Sequence, residues 1–254
     1  MRRSDRYVIL DIVSHIISNM ACWENENRLN ESKFTSKFEN ILDLLFTGSG
    51  LFTRGGEGTS QSTKRMAIFN DYDSTFGRRS DTLVIGSQND ELSNIEFKKA
   101  AAQDNLVNHQ QSKNIRINSC ILNQVNLMTD STDNTILYYD FIGRRGYLAQ
   151  LFEYEDVYIC QKLQSITIPA CMLELELFRS SLKFMFVWKY HMINLDNNIT
   201  LANLNKEQQF LLAEISSTIS SPNSPPRNVR PVQVYLSPSN ANKRTHSMFE
   251  EDQK

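Results

Sequence analysis

The chain has 254 residues, of which 40% are hydrophobic and 22% charged, a composition typical of a globular protein rather than a disordered one. Its formal net charge of −2, from 27 basic and 29 acidic residues, argues against binding of nucleic acid by bulk attraction alone. No stretch reaches the roughly 20 apolar residues that a transmembrane helix needs, so no membrane partner is expected. The 4 cysteines lack zinc-finger spacing, and three lie in apolar stretches, which indicates free thiols in a reducing, intracellular compartment, nuclear or cytoplasmic.

The N-terminal region, residues 1–52, is predicted to form two helices that pack on the core. Apolar residues recur at helical spacing over residues 8–20 and again over residues 34–46. Residues 53–65 are rich in Gly, Ser and Thr, which predicts a flexible loop.

The next segment, residues 66–215, is predicted to be an α/β core with C-terminal helices. Strands are expected at 66–69, 82–85, 94–98, 136–142, 147–152, 157–160 and 166–168, with a hairpin loop at 143–146. Helices are expected from about 104 to 125, from 172 to 193 and from 206 to 215. From residue 216 to residue 254 the composition shifts to Ser, Pro, Asn and charge, which predicts a disordered tail.

The segment from 77 to 99 contains the residues best suited to chemistry. Asp81 opens a short apolar strand, and a polar turn returns the chain into a second strand. Side chains alternate along a strand, so Glu96 and Lys98 share one face. If the two strands pair as a hairpin, Asp81 reaches the neighbourhood of Glu96. Two converging carboxylates suit a hard divalent cation, and a nearby lysine can orient water or stabilise charge on a phosphate.

Asp81, followed fifteen residues later by Glu96-Phe97-Lys98 and then by a long helix, resembles the motif of the PD-(D/E)XK nuclease superfamily. The resemblance covers about residues 34 to 142. It implies a restriction-endonuclease-like core, in which a helix, three antiparallel strands, a second helix and a further strand build a mixed central sheet flanked by helices. In this sequence Ser80 stands where the full motif has proline.

The resemblance also implies roles for individual residues. Asp81 and Glu96 would bind Mg²⁺ or Mn²⁺, and Lys98 would assist the water nucleophile. Family members often add a glutamine from the following helix, for which Gln110 or Gln111 is the candidate. Some add an acid from the first helix, and Glu39 is the candidate here.

These roles predict a metal-dependent nuclease that hydrolyses phosphodiester bonds, with DNA as the expected partner and RNA left open. Basic residues near the motif are candidates for nucleic-acid binding, namely Arg78, Arg79, Lys99, Lys113, Arg116, Arg144 and Arg145. These charges also fit scattered solvated positions, and a Glu-x-Lys pair is often simply the solvated face of a strand. The alternative function is a catalytically inactive binding or scaffold protein on the same fold, and a homo-oligomer is left open.

Overall fold

The computed structural model describes residues 4–25, 30–56, 58–71, 77–216 and 229–234. Its helices are α1 (Asp5–Ser18), α2 (Met20–Glu24), α3 (Glu31–Phe46), α4 (Gln61–Phe69), α5 (Asp104–Thr129) and α6 (Leu175–Ser216). Its strands are β1 (Phe52–Gly55), β2 (Thr82–Ile85), β3 (Glu91–Lys98), β4 (Thr135–Ile142), β5 (Arg145–Tyr154) and β6 (Val157–Thr167). A short 3₁₀ helix, Met172–Glu174, precedes α6.

The six strands form one sheet in the order in which they occur along the chain. Neighbouring strands are antiparallel except β3 and β4, which run parallel and are connected by α5. The register places Thr82 opposite Ile95 between β2 and β3, and Glu96 beside Asp140 between β3 and β4. The α/β class with a mixed central sheet is therefore confirmed.

Helices cover both faces of this sheet. On one face the ring centroids of Phe34 and Phe38 from α3 lie 5.8 and 5.6 Å from the ring centroid of Phe97 on β3. The indole of Trp188 on α6 lies 4.8 Å from Tyr139 of β4 on that same face. On the opposite face α5 packs over β3 and β4. Among the described residues, no helix combines the length and hydropathy that crossing a membrane requires.

The prediction of a flexible loop over residues 53–65 is wrong. Its first residues belong to β1, which pairs with β2, and its last residues begin α4. The Ser60 hydroxyl accepts a hydrogen bond from the amide of Thr63 and so caps α4, which makes a serine-rich stretch the start of a helix. The strand predicted at 66–69 is instead the end of α4, because four apolar residues are too few to distinguish the two periodicities.

In two places, two elements that the sequence predicts as separate form one continuous element in the structure. The strands expected at 157–160 and 166–168 are parts of β6, whose polar centre is mostly exposed at the edge of the sheet. The helices expected at 172–193 and 206–215 are parts of α6, and the polar residues between them lie largely on its solvent side. In both cases the pattern of solvated polar residues within one regular element resembles a break between two elements.

The predicted tail, 216–254, lies mostly outside the described residues. Within it, residues 229–234 are described, and Val229 and Val234 are buried against the body of the protein. For this short segment the prediction of disorder is wrong.

Candidate functional site

Asp81 lies directly before β2 and is fixed by the backbone of the neighbouring strand. Because Thr82 pairs with Ile95, Asp81 stands opposite Glu96. Its Oδ2 accepts a hydrogen bond of 2.8 Å from the amide of Phe97. The turn between β2 and β3 thus brings together two acids that are fifteen positions apart in sequence.

Glu96 is almost completely buried, with 1% of its surface exposed. Its Oε2 lies 2.6 Å from Nζ of Lys113 on α5, and its Oε1 accepts a hydrogen bond of 3.2 Å from Asn94. Burial, together with the negative charge of Asp81, raises the pKa of Glu96 to about 7, while Lys113 and Asn94 oppose this shift. Near neutral pH the carboxyl group of Glu96 therefore exists in both its protonated and its ionised form.

Lys98 ends β3 on the same side of the sheet and remains partly exposed. Its Nζ forms an ion pair of 2.7 Å with Oε1 of Glu31, the first residue of α3, and donates to the carbonyl of Phe97 at 3.1 Å. Burial raises the pKa of Asp140, and the positive charge of Lys98 opposes part of that rise. The ammonium group therefore lies between the start of α3 and the carboxylates of the sheet.

Asp140 on β4 is a further acid of this cluster, which the sequence analysis did not identify. Gln110 donates to its Oδ1 at 2.7 Å, and Asn114 donates to its Oδ2 at 3.0 Å. Burial raises the pKa of Asp140 to about 7, and the charge of Asp81 adds to this effect. A lone acid in the apolar run from Ile136 to Ile142 was the available signal, since a buried carboxylate requires partners.

Of the two glutamines considered, Gln110 is the one whose side chain reaches this cluster. Its Nε2 also lies 3.3 Å from the carbonyl of Phe141, so two acceptors define which end of the amide faces β4. Within the described structure Oε1 of Gln110 is buried and has no hydrogen-bond partner.

Three asparagines extend the polar cluster beneath α5, and no sequence motif identifies them. Asn118 accepts from the amide of Asn94 and donates to its carbonyl, at 2.8 and 3.1 Å. Asn114 accepts from the side chain of Asn94 at 2.9 Å, and Ser80 also bonds to Asn94. These amides form the hydrogen bonds that the buried backbone and side chain of Asn94 require. Asn94 lies on β3 just before the residues that pair with β4.

Glu39, the acid considered on the first core helix, lies near Asp81 on the side of α3. The Thr82 hydroxyl donates to its Oε1 at 2.9 Å, and burial with the charges of Asp43 and Asp81 raises its pKa. A β-carbon on Gly55 would stand 1.8 Å from Oε1 of Glu39, so the glycine leaves room for this carboxylate.

The basic residues considered for nucleic acid are dispersed. Lys113 joins the cluster through Glu96, and Lys99 is exposed just beyond Lys98. Arg144 instead forms an ion pair of 2.7 Å with Glu174, and Arg116 donates to a carbonyl of its own helix. Arg145 is exposed at the start of β5, and Arg78 and Arg79 are exposed ahead of β2.

The donor set suits a small hard cation in one respect. The negative charge of Asp81 makes ionisation of Glu96 more costly, and a divalent ion would relieve that repulsion. Across the described ranges, no group of three or more His, Cys, Asp and Glu side chains is arranged to hold a metal ion. Mg²⁺ commonly binds through only one or two carboxylates and keeps several waters, so a pair of acids is a sufficient set.

Comparison with protein-family models, with curated proteins and with solved structures gives no match for this chain.

Proposed function

We propose that this protein is a metal-dependent nuclease of the PD-(D/E)XK type that hydrolyses phosphodiester bonds in DNA. The observation that carries the proposal is the position of Asp81, directly before β2, opposite Glu96 on the paired strand β3, with Lys98 two residues further along β3. The charge of Asp81 acts on both Glu96 and Asp140, and the charge of Lys98 also acts on Asp140. These four groups therefore influence one another electrostatically.

The order of the elements supports the same proposal. Helix α3 is followed by the antiparallel strands β1, β2 and β3, then by α5 and by β4, which is parallel to β3. This is the succession that the resemblance implies for a restriction-endonuclease-like core. The chain inserts α4 between β1 and β2, and adds β5, β6 and α6 after the core.

Asp81 and Glu96 would hold Mg²⁺ or Mn²⁺. When bound, such an ion activates water for attack and stabilises charge on the phosphate. The chain's own residues prepare the surroundings, because the amide of Phe97 orients Asp81 and Asn94 orients Glu96. Lys113, paired with Glu96, and Lys98, paired with Glu31, are partly exposed cations, and both would attract a phosphate group.

The test is a cleavage screen of the purified chain on duplex, branched and single-stranded DNA and on RNA, with Mg²⁺ or Mn²⁺. Glu96→Gln and Lys98→Ala should each abolish cleavage. Glu176→Gln and Lys183→Ala remove an acid and a lysine from the exposed surface of α6 and should cleave like the wild type. Cleavage that survives both substitutions in the site refutes the proposal.

A second candidate function is a catalytically inactive binding or scaffold protein. One observation favours it, because both charged members of the Glu-x-Lys pair are already engaged internally, Glu96 with Lys113 and Lys98 with Glu31. This candidate predicts no metal-dependent cleavage, and no change in melting temperature when Mg²⁺ or Mn²⁺ is added. A metal-dependent rise in melting temperature that is lost in Glu96→Gln would favour the nuclease.

A further inference from the structure

A groove between α4 and α5 is filled by residues 229–234 of the same chain. Val234 packs in a small apolar cluster with Met66, Ala67 and Cys120, against which Tyr158 also packs. Val229 is buried at the other end of the segment, while residues 230 and 233 are exposed. The segment has no regular secondary structure, and its contacts come from side chains of the two helices, of the residues that follow them and of β6.

The groove binds the main chain of this segment. Asn123 on α5 donates to the carbonyl of Val232 at 3.1 Å, and Asn70 after α4 donates to the carbonyl of Val234 at 3.0 Å. In an extended chain, carbonyl groups two residues apart point to the same side. The side-chain amides of Asn123 and Asn70 can therefore bind both carbonyls from one side of the segment. Asp130 at the end of α5 accepts from the amide of Val229 at 3.3 Å. Recognition of this kind fits an extended peptide in general.

The present occupant does not use everything that the groove offers. Among the described residues, Oδ1 of Asn123, Oδ1 of Asn70 and the hydroxyl of Tyr158 are buried without a hydrogen-bond partner. A cavity of about 70 Å³ also remains beside Pro231. Unsatisfied buried polar groups cost free energy, so the segment is bound more weakly than its apolar contacts alone would allow.

The connection permits this docking within one molecule. Nζ of Lys206 on α6 donates to the carbonyls of Leu127 and Met128, which places α6 beside the end of α5. From there α6 continues for ten residues, or about 15 Å, to Ser216. The twelve residues 217–228 can span about 40 Å when extended, which is enough to return to Asp130.

We propose that the α4–α5 groove is a binding site for an extended, proline-containing peptide, and that residues 229–234 are its resident, reversibly bound ligand. This inference does not depend on the proposed nuclease activity. The segment acts as a strap over Cys120, and its release exposes both the groove and that thiol. Burial raises the pKa of Cys120 to about 12, so its reactive thiolate is scarce while the segment is docked.

The experiment measures alkylation of Cys120 by iodoacetamide in the full-length chain, followed by mass mapping of the modified cysteines. Val234→Asp places a charge in the apolar cluster and should accelerate alkylation about tenfold or more, because it populates the open state. Gln233→Asp adds the same charge at the neighbouring exposed position and should react like the wild type. A folded Val234→Asp variant with a wild-type rate refutes the proposal.

A synthetic peptide of residues 227–236 provides the complementary test. Added to Val234→Asp, it should occupy the vacated groove and slow alkylation of Cys120 again, while a scrambled peptide should not. Failure of the native peptide to protect the thiol refutes the proposal.

If Val234→Asp does not fold, Asn123→Ala replaces it, since that change removes a main-chain contact without adding a charge, and it should also accelerate alkylation. Protection in the wild type that is lost on dilution would assign the segment to a second copy and overturn the intramolecular assignment.

Discussion

The two faces of strands β3 and β4 are filled in opposite ways, although residues of the same strands alternate between them. Toward α3, the rings of Phe38, Phe97 and Phe141 have centroids 4.5 to 5.6 Å apart. Toward α5, Glu96 and Asp140 are equally buried, but amides and an ammonium group surround them. One face supplies folding free energy, and the other holds ionisable groups out of water at fixed positions.

The largest loss of stability is expected from a substitution on the aromatic face. Phe38→Ala removes a ring that contacts both strands and leaves a cavity, which should lower the free energy of unfolding by about 3–5 kcal/mol. Chemical denaturation measures this loss. Phe210→Ala, at an exposed position of α6, is the matched control and should change stability by less than about 0.5 kcal/mol. Equal losses in the two variants would contradict the assignment of the aromatic core.

On the polar face, stability should depend on pH through Glu96. Its folded pKa of about 7 lies above its ordinary value of 4.5, so its contribution is present at low pH and is lost as the pH rises through 7. The full loss is on the order of 3 kcal/mol. Glu96→Gln cannot ionise, so between about pH 5 and about pH 8 the wild type should lose more stability than this variant.

Urea denaturation of both proteins at the two pH values measures this difference. Burial lowers the pKa of His15 and of His191, which contributes the opposite trend to both proteins. The difference between the proteins therefore isolates Glu96. Parallel pH profiles would show that Glu96 ionises at its ordinary pKa.

A smaller loss is expected when one amide of the polar face is removed. Asn114→Ala leaves Oδ2 of Asp140 and the carbonyl of Tyr139 without their donor, which should cost about 2 kcal/mol. Asn108→Ala on the exposed side of the same helix controls for the helix itself. Thermal melts of both variants measure the difference, and it should reach several degrees. A loss no greater than in the control would mean that water replaces Asn114.

The smallest effect is expected at Gly55. An alanine there would place its β-carbon against the carboxylate of Glu39, a flexible group that moves aside and gives up its hydrogen bond from Thr82. The expected loss is about 1 kcal/mol. Gly58→Ala meets only ordinary contacts and is the control. If both alanines leave stability unchanged, Glu39 finds an equivalent position, and its place beside Asp81 is not fixed.

The contrast between the two faces also explains what could be predicted from the sequence. The alternation of Ile95 and Phe97 with Glu96 and Lys98 predicts β3 and its two faces. The predicted pairing of β3 with the strand that begins after Asp81 is confirmed. The prediction of metal binding and catalysis stays a prediction.

The remainder of the site could not be read from the sequence, because polar residues are expected to face water. Asn114 and Asn118 lie on the buried side of α5, where a helical pattern calls for apolar residues. Their partners are a strand backbone and an acid from another strand, and only the fold reveals that proximity. Local composition likewise concealed β1, whose four residues gain their structure from pairing with β2.

Strand β6 is an edge strand to which a strand of another molecule could pair. Its eleven residues form one edge of the sheet, whereas β1 at the other edge has only four. Lys162 is the single charged residue along this edge, which leaves little electrostatic protection against pairing with another strand. Charges introduced at Ile159 and Leu163, both exposed, would therefore improve the solubility of concentrated preparations without touching the cluster beneath α5.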